Sequence, residues 1–239
     1  MTTDQEREIE EAIFAGLKNA CEVNAKFNGY DYADLKPEFL VTYNIAESIG
    51  RQISDVAISL ENKSEMFKQR TGRMNDLMGY FQALLNWKLF KGRIDIVLYS
   101  KDQPALALCP IEVKIANPQK KRALRDMKRL IACLSATEIE NSAAFAYFVF
   151  CQIPKPSVEE YSDTELSNAH AAAERFINKH FTSERDSYDF LSTSRSIWKC
   201  FRFKSFAETD GMDPYELGEE IKETLHVIGT VIKIKRIKG

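Results

Sequence analysis

Residues 92–114 decide the fold, and they read GRIDIVLYSKDQPALALCPIEVK. Two apolar segments, at 92–100 and 105–116, have the length and β-branched content of buried strands. The KDQP between them predicts a turn, and hence an antiparallel hairpin. Each segment nevertheless contains charge: Asp95 in the first, and Glu112 followed by Lys114 in the second. Because residues i and i+2 of a strand face the same way, Glu112 and Lys114 should project together, with Asp95 beside them.

Three charged side chains inside a sheet need compensation, because unpaired buried charge loses several kcal/mol of solvation. A divalent metal would supply it, since two carboxylates offer the hard oxygen ligands that Mg²⁺ prefers. A neighbouring lysine can orient a water and stabilise developing phosphate charge. The pattern therefore predicts a site for phosphodiester hydrolysis at Asp95, Glu112 and Lys114. The alternative is an Asp95–Lys114 core ion pair with Glu112 facing solvent.

A basic helix is predicted directly after this hairpin, from about 119 to 135. Its apolar side carries Ala123, Met127, Leu130, Ile131 and Leu134, and its other side carries Lys120, Lys121, Arg122, Arg125, Lys128 and Arg129. Its closeness to Lys114 favours contacts with a nucleic-acid backbone through Lys120, Lys121, Arg122 and Arg125. The alternative is an ordinary solvated helix face.

Apolar periodicity outlines the remaining elements. Helices are predicted at 5–27, from Pro37 to about Gly50, and at 160–181; strands are predicted at 55–61, 143–153 and 196–206. A helical segment is predicted within 62–90. A further helix should begin at Asp213-Pro214 and end at Gly229, followed by a lysine-protected edge strand at 230–237. The chain is therefore predicted to be one α/β domain over residues 1–239.

An Asp in one apolar strand, a short connection, an apolar-Glu-x-Lys strand and a basic helix together resemble the PD-(D/E)XK superfamily of restriction-endonuclease-like nucleases. The resemblance covers about residues 37–153, in the order helix, strand, strand, strand, helix, strand. It implies a central mixed sheet flanked by helices. The N-terminal helix and residues of about 154–239 would be additions to that core.

The resemblance also implies roles for individual residues. Asp95 and Glu112 would bind Mg²⁺, for which Mn²⁺ can substitute, together with the carbonyl of Val113. Lys114 would assist the attacking water. A Glu of the first core helix often completes such sites, and Glu47, on the helix before the first strand, is the candidate here. Glu61, at the end of that strand, could serve as well.

The sequence departs from the family pattern in three places. Ile94 rather than Pro precedes Asp95, and the insertion at 62–90 is long. An exonuclease branch carries Gln and Tyr on the helix after the lysine strand; Gln119 is present, but position 123 is Ala. An endonuclease is therefore favoured over an exonuclease.

Composition narrows the class of protein. The 239 residues carry a formal net charge of −2, which neither predicts nor excludes a nucleic-acid partner, because local patches can bind phosphate. Five cysteines without a C-x-x-C pair argue against a disulfide framework and a zinc knuckle. The acidic N-terminus and the shortness of the apolar runs predict a cytoplasmic protein with no membrane partner.

Two hypotheses about function therefore compete, and a third possibility is a soluble α/β protein whose resemblance to the family is accidental. The first is a magnesium-dependent nuclease acting on nucleic acid, with DNA favoured over RNA and with a homodimer expected from the resemblance alone. The second is a catalytically inactive nuclease-like module that binds nucleic acid or a protein. Retention of all three charged residues argues against the second.

Overall fold

A computed structural model describes residues 3–28, 38–63, 92–103, 106–115, 118–135, 143–154, 163–203 and 222–237. Its helices are α1 (Thr3–Asn28), α2 (Glu38–Gln52), α3 (Lys120–Ser135) and α4 (Asp163–His180), with a short 3-10 helix at Thr182–Glu184. Its strands are β1 (Val56–Lys63), β2 (Arg93–Ser100), β3 (Ala107–Lys114), β4 (Phe145–Gln152), β5 (Tyr188–Phe203) and β6 (Lys222–Arg236). The predicted helical segment within 62–90 falls outside the described residues from position 64 onward. The predicted helix start at Asp213-Pro214 lies outside them too.

The strands form one mixed sheet in the order β1-β2-β3-β4-β6-β5. The first three strands are successive antiparallel neighbours, so the predicted hairpin is confirmed, with Ile96 opposite Ile111. β4 lies parallel to β3, and α3 connects them. β6 is antiparallel to both β4 and β5. The α/β class, with a mixed sheet flanked by helices, is confirmed.

Each face of the sheet carries its own apolar cluster. On one face, α1 and α2 bury Ile13, Ile45 and Ile49 among residues of β2, β3 and β4. On the other, α3 and α4 bury Leu130 and Ile177 in the same way. The stripes of apolar residues at helical spacing explain both layers, since each stripe must be removed from water. The ends of β2 and β3 are thereby placed between two helical layers.

The predicted end of a helix at Gly229 is wrong. Gly229 lies within β6, opposite Arg195 of β5 and Cys151 of β4. A Cβ atom built there would meet Leu17 Cδ1 of α1 at 2.8 Å and Ile197 Cγ2 at 3.1 Å. The glycine therefore permits α1 to approach the sheet closely, rather than ending a helix.

The predicted edge position of the last strand is also wrong, because β6 lies between β4 and β5. Its lysines instead bind α1. The buried Glu6 carboxylate accepts hydrogen bonds from Lys235 Nζ at 2.9 Å and from Lys233 Nζ at 3.2 Å. The Tyr147 hydroxyl of β4 donates to the Glu6 carbonyl at 2.8 Å. These contacts fix the N-terminal part of α1 on the sheet.

Glu6 should make stability depend on pH. Burial alone would raise the pKa of Glu6, but the hydrogen bonds from Lys235 and Lys233 outweigh it and lower the pKa below its usual 4.5. A lowered folded-state pKa stabilises the protein above the unfolded-state pKa, and this stabilisation is lost as pH falls through the folded-state value. We expect Glu6→Gln to lower the Tm at neutral pH, and the difference from wild type to shrink below about pH 4.5.

Thermal unfolding followed by circular dichroism between about pH 3 and pH 7 measures this effect. Glu8→Gln is the matched control, since Glu8 is exposed on the same helix. A Glu6→Gln deficit that stays constant over the whole pH range would contradict the assignment.

Candidate active site

Asp95 ends the pairing between β2 and β3. The pairing of the two strands runs from Tyr99 to Ile96 of β2, with a register shift between Leu98 and Tyr99. Beyond it the Asp95 carboxylate replaces a backbone acceptor, because the Val113 N–H donates to Oδ2 at 2.7 Å. The structure therefore places Asp95 beside the part of β3 that carries Glu112 and Lys114.

The three predicted side chains meet at the Lys114 ammonium. Its Nζ donates to the Val113 carbonyl at 2.7 Å. It also lies 3.5 Å from Asp95 Oδ2 and 3.8 Å from Glu112 Oε2. The residues that provide these three oxygens are those for which the family resemblance implies metal ligation. Their oxygens surround one point, and a cationic group lies at that point.

Two further carboxylates reach the same ammonium. Glu38 Oε1, at the start of α2, accepts from Lys114 Nζ at 3.0 Å, and Asp126 Oδ2 of α3 lies 3.7 Å away. Both helical layers therefore contribute to the site. The Arg129 guanidinium binds two of these four carboxylates. We call the six residues the Lys114 cluster: Glu38, Asp95, Glu112, Lys114, Asp126 and Arg129.

Arg129 holds the most deeply buried member of the cluster. Glu112 is 0% exposed, and its Oε1 accepts from Arg129 Nε at 2.8 Å and from Arg129 Nη2. Arg129 Nη2 also lies 3.1 Å from Asp126 Oδ1. Glu112 Oε2 has no hydrogen-bond partner among the described residues. A wholly buried carboxylate oxygen that accepts no hydrogen bond destabilises the folded protein unless a cation lies near it.

The Lys114 cluster carries an excess of negative charge. Four carboxylates face the partly exposed Lys114 ammonium and the buried Arg129 guanidinium, with the exposed Arg125 at the rim, 3.4 Å from Asp126. Burial, followed by repulsion from Asp95, raises the pKa of Glu112 well above its usual value, although Arg129 and Lys114 oppose the shift. A divalent cation would neutralise this excess and stabilise the ionised form of Glu112.

Lys114 stays cationic in this environment. Burial would lower the pKa of its ammonium, but Asp95, Glu112 and Glu38 outweigh burial and raise the pKa above its usual 10.5. The side chain is 14% exposed, so it retains access to solvent. Lys114 can therefore donate a hydrogen bond to a water or a phosphate oxygen, but it is unsuited to accepting a proton.

The structure does not bring either candidate for the fourth acid to the site. Glu47 follows Glu38 by nine residues on α2, which places it on the opposite side of the helix, where it pairs with Arg51 at 2.7 Å. Glu61 is 48% exposed and pairs with Arg93 at 3.5 Å. Its backbone φ of +51° is left-handed, so Glu61 interrupts the regular alternation of side chains along β1. The acid of the first core helix that does contact Lys114, among the described residues, is Glu38.

The basic side of α3 is only partly as predicted. Lys120, Lys121, Arg122 and Arg125 are exposed, as a backbone-binding surface requires. Arg129 was assigned to the same side, and that prediction is wrong, because its side chain is buried against Glu112. The exposed residues begin next to the cluster, since Arg125 contacts Asp126.

The donor atoms of the cluster suit a hard cation. In the described part of the chain, no group of three or more His, Cys, Asp or Glu side chains could hold a metal ion. The candidate donors are instead two carboxylates and the Val113 carbonyl, all of them the oxygen ligands that Mg²⁺ binds. Oε2 of Glu112, which accepts no hydrogen bond among the described residues and lies 3.8 Å from Lys114 Nζ, is the observation that fits best. An ion bound there would compete with the Lys114 ammonium for the same oxygens.

Asp126 and Arg129 could have been recognised as site residues from their sequence pattern, whereas Glu38 has little such signal. Asp126 interrupts the apolar stripe of α3 between Ala123 and Leu130, and Arg129 follows it by one turn on the same side. A charged pair on a buried helix face is a signal that could have been recognised. Glu38 reaches the site only because the fold places the first turn of α2 against the end of β3.

No helix among the described residues is long and apolar enough to cross a membrane. Comparison of the chain with protein-family models, with curated proteins and with solved structures finds no match.

Proposed function

We propose that this protein is a metal-dependent nuclease of the PD-(D/E)XK, restriction-endonuclease-like type, which hydrolyses phosphodiester bonds in DNA. One observation carries the proposal. Asp95 Oδ2, Glu112 Oε2 and the Val113 carbonyl all lie within 3.8 Å of the ammonium of the partly exposed Lys114. The element order from α2 to β4 and the mixed sheet support it, because they agree with the core that the resemblance implies.

In this proposal Asp95, Glu112 and the Val113 carbonyl hold Mg²⁺. When bound, Mg²⁺ would supply positive charge that stabilises the negative charge developing on the phosphate. Glu38 holds the Lys114 ammonium at the mouth of the site, where it can donate to the attacking water and orient it. The water oxygen forms a bond to phosphorus and gives up a proton to solvent, the opposite P–O ester bond breaks, and the leaving oxygen takes up a proton from solvent.

The exposed basic residues of α3 bind the DNA backbone in this account. Lys121 and Arg125 can neutralise phosphates on either side of the bond that is cut, without reading the base sequence. The proposal predicts salt-sensitive binding, since each neutralised phosphate releases counterions. A homodimer, in which each subunit cuts one strand, belongs to the same proposal.

A cleavage assay tests the proposal directly. Linear duplex, supercoiled circular and single-stranded DNA, and RNA, are incubated with the full chain in Mg²⁺, Mn²⁺ or EDTA. We expect metal-dependent cleavage of DNA, including circular DNA, which an endonuclease can cut. Binding of DNA without cleavage in either metal would favour the inactive binding module, and cleavage that persists in EDTA would refute a metal-dependent mechanism.

Glu38 and Glu47 provide a matched test of the fourth acid. We expect Glu38→Gln to reduce the cleavage rate by roughly 10- to 100-fold, because Lys114 loses the carboxylate that holds it. Glu47→Gln should leave the rate within about twofold, because Glu47 pairs only with the exposed Arg51 among its described ion pairs. Single-turnover kinetics measures both rates. Equal losses in the two variants, or a loss confined to Glu47→Gln, would refute the assignment of Glu38.

A further inference from the structure

We infer that Arg129 is a positioning residue for the cation site, holding Glu112 through one oxygen so that the other faces the Lys114 ammonium. The inference rests on the cation site of the proposed function. The resemblance assigns no role to Arg129, and its sequence pattern had placed it on the exposed side of α3.

Arg129 binds only one of the two carboxylate oxygens of Glu112. An arginine that only neutralises a carboxylate commonly engages both oxygens, with one N–H on each. Here both Nε and Nη2 donate to Oε1 of Glu112. Oε2 is left without a hydrogen bond among the described residues, although it is wholly buried, and it lies 3.8 Å from Lys114 Nζ. The contact therefore fixes the carboxylate and leaves one oxygen available to a cation.

The Arg129 side chain is itself held in place by its neighbours. Asp126, one helical turn earlier, lies 3.1 Å from its Nη2. Gly92, immediately before β2, lies beside the Nη1 side of the Arg129 guanidinium. A Cβ atom at Gly92 would meet Arg129 Nη1 at 2.8 Å, and the φ of +151° at Gly92 favours glycine. The local structure thus leaves space for the guanidinium in the orientation that binds Glu112.

Arg129 is poorly placed for the alternative role of binding DNA. It is 6% exposed, whereas Arg122 and Arg125 on the same helix are exposed. A second alternative is a purely structural ion pair. That role would account for the burial of both groups, but it does not explain why both Arg129 donors bind Oε1 while Oε2 accepts no hydrogen bond among the described residues. The positioning role predicts that loss of Arg129 weakens cation binding, whereas a purely structural ion pair does not.

Mn²⁺ binding to the full chain tests the inference, with isothermal titration calorimetry as the readout, so that no cleavage is needed. We expect Arg129→Met to weaken Mn²⁺ binding about 10- to 100-fold, as is usual when the partner of a metal ligand is lost. Arg129→Lys should restore part of the affinity, because it keeps the charge but not the two-pronged contact. Arg122→Met, on the exposed side of the same helix, should bind as wild type does.

Gly92→Ala gives a second test in case Arg129→Met does not fold. It keeps the arginine but displaces its guanidinium, so it should also weaken Mn²⁺ binding. Near-wild-type affinity in Arg129→Met, or in a folded Gly92→Ala if Arg129→Met does not fold, would overturn the positioning role and leave the proposed nuclease intact. A wild-type chain that binds no Mn²⁺ would overturn the cation site, and both proposals with it.

Discussion

Asp95→Asn is expected to lower the rate of Mg²⁺-dependent cleavage by on the order of 10³-fold, which corresponds to about 4 kcal/mol of transition-state stabilisation. The substitution is close to isosteric, and an amide oxygen can still accept the Val113 N–H that the Asp95 carboxylate now binds at 2.7 Å. The hairpin should therefore survive. What is lost is one of the two carboxylate charges that would hold the cation.

Lys114→Met should produce a similar loss for a different reason. It removes the group proposed to orient the water, while it also removes the ammonium that would compete with the metal. We therefore expect Mn²⁺ to bind Lys114→Met at least as tightly as wild type, whereas Asp95→Asn should bind it more weakly. Opposite effects on affinity with equal loss of cleavage would separate the roles of the two residues.

Asp55→Asn is the control for these measurements, since Asp55 is exposed just before β1 and accepts from the Ser54 hydroxyl at 2.8 Å. Single-turnover cleavage and thermal unfolding are measured on the same preparations. Cleavage by Asp95→Asn within about tenfold of wild type would remove Asp95 from the catalytic centre. A loss of the same size in Asp55→Asn would show that the effect is not specific to the site.

Gly16→Ala is expected to have the largest effect on stability. A Cβ atom at Gly16 of α1 would meet the backbone of α2, at Ile45 Cα and, at 2.8 Å, at the Asn44 carbonyl oxygen. Backbone atoms cannot move aside as the end of a flexible side chain can, so the two helices must separate. We expect a loss of about 2 kcal/mol or more, even though alanine is the better helix former. The Tm should fall by on the order of 5 °C.

Gly50→Ala is the matched control, because Gly50 is also a helical glycine. A Cβ atom there would meet only Ile58 Cδ1, at 3.3 Å, which is the flexible end of a side chain. We expect a change in stability between zero and a gain of about 0.5 kcal/mol. Equal Tm values for the two variants would contradict the close contact between α1 and α2. Since α2 carries Glu38, Gly16→Ala should also lower cleavage where the protein remains folded.

The paired strands around the site were predictable because their pattern is local. Asp95 and Glu112 each interrupt an apolar run, and the spacing between the two runs admits one simple pairing. The structure confirms the hairpin and the basic helix after it, and it shows β4 to be parallel to β3. The convergence of Asp95, Glu112 and Lys114 follows from strand alternation and register alone.

Other features could not be predicted, because they depend on contacts between distant parts of the chain. Gly229 has the position of a helix end in the sequence, but it lies in β6 because α1 packs against it through Leu17. Lys233 and Lys235 have the pattern of an edge strand, but they bind Glu6, more than two hundred residues earlier in the chain. Arg129 is similar: helical spacing alone does not distinguish a solvated arginine from one that binds a buried Glu112.

The most direct test of the account is the position of Mn²⁺ in crystals of the protein, measured by anomalous diffraction. The account predicts a peak bound by Asp95, Glu112 Oε2 and the Val113 carbonyl, with the Lys114 ammonium displaced from these oxygens and Arg129 still bound to Oε1 of Glu112. A well-occupied Mn²⁺ peak elsewhere, or an unchanged Lys114 cluster at saturating Mn²⁺, would contradict it.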